Sequence, residues 1–563
     1  MTKFKAGLEP LRITALTTVI LVSFAARVSV QAGTPMPFVE EAAVRGVVYN
    51  TGTVFGQFGV SVAFADLDND MNPDLIALGR IDGIVGIYKN DGNGFFTDRS
   101  IGNGIPLILS PSGVIAGDYD ADGDLDLYFS NWATADMLLR NEGGFQFTDV
   151  TVSAGLGDIG NGQGSAWGDY DGDGWIDLYL GNRTSLEPGD PPCRLYHNMG
   201  DGTFIDVAPA LGVDDTQPTY QASFFDFDKD GDADLYLAND KGSNNCNQNT
   251  NRLYENVGGT FVEITGPSGT AACVDSMSTA IGDFDGNLFQ DLYVTNTPQG
   301  NALMLNQGDG TFTRDEIAAG VASFAMGWGS VFFDWDNNGM LDLFVCNVQA
   351  PNRLYSNFGT FPVTEMATSL GLDDVGFTFT AAVADIDNDG DLDLAYSNAA
   401  DRVKLCINQE GQVRSWIKFD VIGRGQNTFA IGANIEARTG ATWRIREVIA
   451  GCNFKSQNQL IQHFGLGSAT QVDEVVVMWP GGVTRSLTNV PINGTWRIYP
   501  PEKLGDGDSD GDIDMIDAAL LVDVLLGLDS NMDHFLLNDM NGDSSVDGVD
   551  LQLFVEAMLG LTP

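Results

Sequence analysis

A chain of 563 residues is too long for one ordinary core and predicts several modules. Its 77 acidic against 28 basic residues give a formal charge of −49, which repels phosphate backbones and anionic membrane surfaces and excludes nucleic acid as a partner. Apolar residues make up 43% of the chain and Phe occurs 33 times, so the chain is folded rather than disordered and its charge is concentrated in particular places.

In chain order, residues 1–32 read as an export signal. Lys3, Lys5 and Arg12 precede an apolar stretch from Ile13 to Ala26, and Val30-Gln31-Ala32 offers a small-residue cleavage site before Gly33. Arg27 closes that stretch short of the about 20 apolar residues that span a bilayer. No later segment is long and apolar enough to span, so the expectation is a secreted or cell-surface protein with no membrane insertion after signal cleavage.

From residue 36 to about 412 an acidic cluster recurs, starting at Asp66, Asp118, Asp169, Asp226, Asp283, Asp334 and Asp385, at spacings of 52, 51, 57, 57, 51 and 51 residues. Each copy is followed by runs such as NRLYEN (Asn251 to Asn256) and by a Gly turn before Phe, as in GDGTF (Gly200 to Phe204). Short runs of Val, Tyr, Phe and Leu between Gly/Asn/Asp turns predict about four antiparallel strands per copy, the size of one propeller blade. The last copy lacks its terminal Phe-bearing strand, and FVEEAAVRGV (Phe38 to Val47) lacks inner strands before it. The N-terminal strand is therefore expected to complete the last of seven blades and close the ring.

Within each cluster the side-chain oxygens fall at positions 1, 3, 5 and 9 of a nine-residue loop. They are Asp66, Asp68, Asp70 and Asp74; Asp118, Asp120, Asp122 and Asp126; Asp169, Asp171, Asp173 and Asp177; Asp226, Asp228, Asp230 and Asp234; Asp283, Asp285, Asn287 and Asp291; Asp334, Asp336, Asn338 and Asp342; Asp385, Asp387, Asp389 and Asp393. Alternating carboxylates on a tight turn aim several oxygens at one point, which suits calcium, a hard cation taking six to eight oxygens. Without a divalent ion these carboxylates repel one another. Met71 and Leu288 stand where the other copies have Gly, which predicts strained turns there.

These copies resemble FG-GAP/VCBS repeats, shared with integrin α-subunit heads. The run NMGDGTFIDV (Asn198 to Val207) is similar to the cartilage acidic protein subset of that family. The resemblance implies a propeller with calcium on one face and an adhesive or partner-binding role.

Residues 413–500 alternate apolar and polar residues in WIKFDV, ANIEAR, WRIREV and DEVVVMWPGG, predicting a compact β domain. IGANIEA, HFGLG (His463 to Gly467) and VDEVVVMWPGG resemble the ASPIC/UnbV domain. His463 has no nucleophile or acid beside it in sequence and reads as structural. No catalytic constellation stands out, so a non-enzymatic role is expected.

The tail, 505–563, carries Asp506, Asp508, Asp510, Asp514 and Asp517 at positions 1, 3, 5, 9 and 12 of a loop, and 33 residues later Asp539, Asn541, Asp543, Asp547 and Asp550 repeat that spacing. A ligand at position 12 matches the EF-hand arrangement. Each loop runs into an apolar helical stretch, AALLVDVLLG (Ala518 to Gly527) and LQLFVEAMLG (Leu551 to Gly560). This duplicated loop-helix unit resembles a type I dockerin, which implies calcium-dependent docking onto a cohesin-type partner.

Six cysteines show no C-x-x-C pair; Cys246 and Cys273 are candidates for one disulfide, and Cys346 reads as buried. The fold expected is mainly β: a seven-bladed propeller, a small β domain and a small α-helical calcium module. The function expected is calcium-dependent binding or adhesion to an extracellular protein or polysaccharide. The alternative is a polysaccharide-degrading enzyme or a component of such an assembly.

Overall fold

The computed structural model describes residues 36–52, 60–157, 159–184, 191–240, 250–297, 299–507, 513, 515–529 and 531–558. The export-signal residues 1–32, Cys246, Asp508, Asp510 and Asp514 lie outside them.

Each repeat folds into a four-stranded antiparallel unit. In the second, Pro111–Gly117, Asp126–Ala135, Met137–Asn141 and Phe147–Asp149 pair in sequence order. The first strand is buried along its whole length because both faces are covered by protein. The fourth is short: Phe147 turns inward while Thr148 and Asp149 face solvent, which blunts a free sheet edge. In the last unit the N-terminal strand Phe38–Glu40 takes this fourth place, pairing Val403–Asn408 with Phe38 opposite Asn408.

Apolar residues of successive units form shared cores. Ile76 and Ile87 pack with Leu127 and Phe129, and Tyr128 packs with Leu178 and Leu180. The series returns to its start, since Ala395 and Leu405 of the last unit share a core with Phe64 and Leu75 of the first. The architecture is mainly β and propeller-like.

The β domain that follows has two sheets. Ser415–Val421 lies between Gln462–Gly467 and Thr495–Ile498, and the other sheet orders Thr442–Glu447, Asn434–Thr439, Val472–Met478 and Thr484–Val490. The alternating residues Ile417, Phe419, Ile435, Ala437, Val475 and Val477 fill its core. This domain does not stand apart, for Pro37–Pro563 is one compact unit.

Residues 449–459, between two of its strands, run along the propeller axis and bond the first strand of unit after unit. Trp167 N–H donates to the Ala450 carbonyl (2.9 Å), Phe64 N–H to the Gln457 carbonyl (3.0 Å) and Ala116 N–H to Gln457 Oε1 (2.9 Å). Lys455 N–H donates to Gln221 Oε1 (2.7 Å), and Val383 N–H donates to Asn458 Oδ1 (3.0 Å). Phe454 is fully buried among Tyr220, Trp328 and Phe379.

The tail supplies helices Met515–Leu525, Met532–Asn538 and Gly548–Met558, among the described residues, and Leu536 and Leu537 pack on Tyr499 and Leu504. No helix among the described residues is long and apolar enough to cross a membrane. Cys346 is buried, and Cys273 is disulfide-bonded.

Gly451 makes the axial segment possible. Its φ of +101° is left-handed, and a Cβ there would stand 2.3 Å from the Ser165 carbonyl oxygen. Gly451→Ala is expected to cost about 2 kcal/mol or more, through backbone strain and a clash against main chain. Thermal denaturation of the full chain checks this through a lowered midpoint.

Candidate metal centres

Every loop is built by its own carboxylates before any ion is considered. Position 1 shapes the turn: Asp118 accepts from the N–H groups of Asp122 (3.1 Å) and Gly123 (2.9 Å), and Asp334 from those of Asn338 (3.0 Å) and Gly339 (2.7 Å). Position 6 is left-handed throughout, in Gly123, Gly174, Gly231, Gly339 and Gly390 and equally in Met71 (φ 66°) and Leu288 (φ 73°). Those two side chains occupy a backbone region that costs about 1–2 kcal/mol outside glycine.

Position 9 is an anchor. Both oxygens of Asp126 are taken, one by Tyr119 N–H (3.2 Å) and one by Asn141 N–H (2.8 Å); Asp291 is held likewise by Phe284 (2.8 Å) and Asn306 (2.8 Å). The asparagine then reaches into the preceding unit. Asn141 Nδ2 donates to the Leu67 carbonyl (2.9 Å), Asn198 to Tyr119 (2.8 Å), Asn256 to Tyr170 (2.7 Å) and Asn306 to Phe227 (2.8 Å). Asn357 reaches Phe284 (2.8 Å), Asn408 reaches Trp335 (2.7 Å), and Asn90 of the first unit closes the circle on Ile386 of the last (2.8 Å). Sequence reasoning missed these residues, although each ends or directly follows the third strand of its repeat, as Asn256 ends NRLYEN. Asn306→Ala leaves the main-chain N–H on Asp291 but strips a donor from the Phe227 carbonyl (2.8 Å) and an acceptor from Gly308 N–H (3.0 Å), which is expected to cost about 1–3 kcal/mol in denaturant or thermal unfolding.

Position 3 is where the loops fit a cation. Asp68 Oδ1, Asp120 Oδ1, Asp228 Oδ1 and Asp387 Oδ1 are buried and accept no hydrogen bond. Buried carboxylate oxygens without a donor are costly unless a positive charge meets them. Oxygens of Asp66, Asp68 and Asp70, of Asp118, Asp120 and Asp122, and of Asp226, Asp228 and Asp230 lie within 4.8 Å of one another in each loop.

Protein cations meet some of this charge. Lys89 Nζ contacts Asp68 and lies 2.8 Å from Asp70, His197 Nδ1 lies 3.3 Å from Asp171 and 3.2 Å from Asp177, and Arg414 reaches Asp336 (2.6 Å). The β domain covers this face of the propeller. Thr428 Oγ1 donates to Asp118 (2.5 Å), Asn434 Nδ2 to Asp226 (3.0 Å) and Gly467 N–H to the Asn337 carbonyl (2.8 Å), while Lys418 Nζ lies 2.8 Å from Asp385. His463 is buried here, its Nε2 3.1 Å from the Gly390 carbonyl, and burial pushes its pKa down to about 3.

Burial, then the neighbouring carboxylates, raises the loop acids: Asp66 and Asp118 to about 6, and Asp169 and Asp226 to about 7. Asp74 rises to about 8 and Asp126 to about 9, again chiefly by burial. A carboxyl raised in the folded state stabilises while it keeps its proton and loses that contribution as pH climbs through the folded value. Without a bound cation the protein should therefore lose stability from about pH 4 to about pH 9, and a cation that binds these carboxylates should remove most of that slope. Melting temperatures across this range, with calcium and with chelator, check it.

In the tail, Asp539 accepts from the N–H groups of Asp543 (3.1 Å) and Ser544 (2.9 Å), and Asp550 from those of Asn541 (3.1 Å) and Asp547 (2.9 Å). In the other tail loop Asp517 is buried and accepts from Gly507 N–H (2.7 Å), with Asp506 nearly buried. Arg485 Nη2 donates to the Asp539 carbonyl (2.9 Å), fastening the second loop to the β domain.

Against known families, residues 66–129, 118–180, 185–237, 283–345 and 334–396 match the FG-GAP-like repeat, and residues 423–505 match ASPIC and UnbV. Cartilage acidic protein 1 of Mus musculus is 24% identical over 439 residues, covering 72% of this chain and 57% of that protein. The Homo sapiens protein of the same name is 22% identical over 483 residues, covering 78% and 63%. The chain thus spans about three-fifths of the length of these curated relatives. Among solved structures, BBS1N in complex with ARL6DN overlaps 67% of this chain and 98% of its own at a TM-score of 0.41 and 9% identity.

Proposed function

We propose, for a chain that belongs to the FG-GAP-like repeat family and carries an ASPIC and UnbV domain, a calcium-loaded, seven-bladed propeller that works outside the cell as a binding module. The observation that carries this reading is the buried, donorless oxygen at position 3, repeated in register in Asp68, Asp120, Asp228 and Asp387. Calcium would be held by the side-chain oxygens at positions 1, 3, 5 and 9 of each loop together with the main-chain carbonyl at position 7, as at Asp124. It would supply the positive charge that lets these carboxylates share one turn. Its role is structural, stiffening the face against which the β domain lies.

The tail is an attachment device in this reading. Its two loops take calcium in the EF-hand manner, and the helices beside them leave Met515, Ile516, Val522, Leu526, Val549 and Leu551 exposed. Such apolar helical faces suit a cohesin-type partner. The propeller rim and its far face would engage an extracellular protein or polysaccharide.

Native mass spectrometry should find about seven to nine calcium ions, one per loop, with the lower figure arising where the first and fifth loops, whose turns carry Met71 and Leu288 in place of glycine, stay empty. A glycan array and a cohesin pull-down, each run with calcium and with chelator, test the binding role. Absence of bound calcium sinks the ion reading, and capture that survives chelation sinks its link to binding.

A further inference from the structure

We propose that the third Asp loop is a site for a zinc-class transition-metal ion, with the His197 imidazole as its nitrogen ligand beside Asp171, Asp173 and Asp177. This rests on the reading that the loops hold cations and changes the kind of cation for one of them.

The residue just before each anchoring asparagine holds the same place in the third strand of its unit, and at two of these places, Lys89 and His197, it contacts the loop carboxylates. In chain order these residues are Lys89, Arg140, His197, Glu255, Leu305, Ser356 and Ile407. Lys89 shows the reach, since its ammonium contacts Asp68 and Asp70. At the third position the same reach delivers an imidazole, the one member of the set that is a good transition-metal ligand at neutral pH.

Its geometry is that of a ligand. Nδ1 is buried and lies 3.3 Å from Asp171 Oδ2 and 3.2 Å from Asp177 Oδ1, separations that an ion pair and two ligands of one ion share. Two donors bound tetrahedrally to an ion at 2.0–2.1 Å stand about 3.3 Å apart, so these separations match the edge of a zinc polyhedron. The ligand atoms of Asp171, Asp173 and His197 all lie within 4.8 Å of one another. Tyr170 holds the ring edge-on at 6.0 Å and 80°, which fixes the direction of the Nδ1 lone pair. Asp177 cannot swing away, because Tyr170 N–H (3.2 Å) and Asn198 N–H (2.8 Å) hold both its oxygens.

Carboxylates alone favour hard calcium, whereas an imidazole added to two or three carboxylates shifts preference toward zinc, nickel and copper. A proton on His197 would also satisfy the carboxylates, as Lys89 does in the first loop, and the test must separate the two.

The test titrates the calcium-saturated full chain with Co2+, a coloured stand-in for zinc. A single equivalent should bind with a visible ligand-field band typical of a low-coordinate site containing nitrogen, and Zn2+ should displace it. His197→Gln should abolish the band and weaken Co2+ binding by at least about a hundredfold, more than loss of an outer hydrogen bond to a ligand. His197→Lys, which keeps a cation facing the carboxylates, should lose the band as well. No Co2+ uptake, or a band that persists in either variant, overturns the proposal. Calcium counting by native mass spectrometry is read in parallel: a protein that binds calcium but not Co2+ refutes the His197 site alone, and one that binds neither refutes the reading of the loops.

Discussion

One relay, repeated in every unit, underlies the rest: a buried aspartate grips the backbone of its own loop and the N–H of an asparagine, whose side chain grips the preceding unit. Asp342, Trp335 N–H and Asn357 N–H form one such grip, and Asn357 Nδ2 on the Phe284 carbonyl joins it to its neighbour. The relay fixes the loop and the spacing between units with the same few atoms. It also lets these carboxyl groups be fully buried, since each gives both oxygens to N–H donors. The apolar cores between units supply most of the stabilisation, and the relay decides which arrangement they settle into.

The β domain depends on that arrangement in turn. Its side chains meet the loops of several units at once, through Thr428, Asn434 and Lys418, and residues 449–459 bond first strands around the axis. A charge change in the loops is therefore felt directly by the domain lying on them. Glu447 illustrates the tightness of the contact: it is buried, one of its oxygens accepts Asp226 N–H (3.0 Å) and the other has no partner. Burial raises its pKa well above the ordinary carboxylate value.

Much of this was readable from local pattern. The recurring Asp loops, the short strands rich in Tyr and Leu, and the Phe-bearing fourth strand follow from alternation and turn chemistry, which act over a few residues. The strained turns at Met71 and Leu288 were visible because both stand where their sister loops have glycine. What sequence could not yield is contact at long range. Nothing about Asn90 shows that its amide meets Ile386, nor about Gln457 that it bonds Phe64 and Ala116 along the axis. Lys89 and His197 were invisible as loop residues for the same reason, since pairing of strands, not spacing in the chain, brings them to the carboxylates.

The bonds that close the circle also set an order of events. Asn90 and Ile386 are 296 residues apart, and Ser61 and Lys455, joined by hydroxyl and carbonyl, are 394 apart. During synthesis the first unit is finished long before its neighbour on the far side exists, so it must wait with one face uncovered. Contacts of such separation carry a high loop-closure cost and slow folding. A nascent or truncated chain ending before residue 449 lacks the segment that runs down the axis, so its ring is held by the strand Phe38–Glu40, the Asn90–Ile386 bond and the shared apolar cores alone. Locking is the last act, and it belongs to the C-terminal part of the chain.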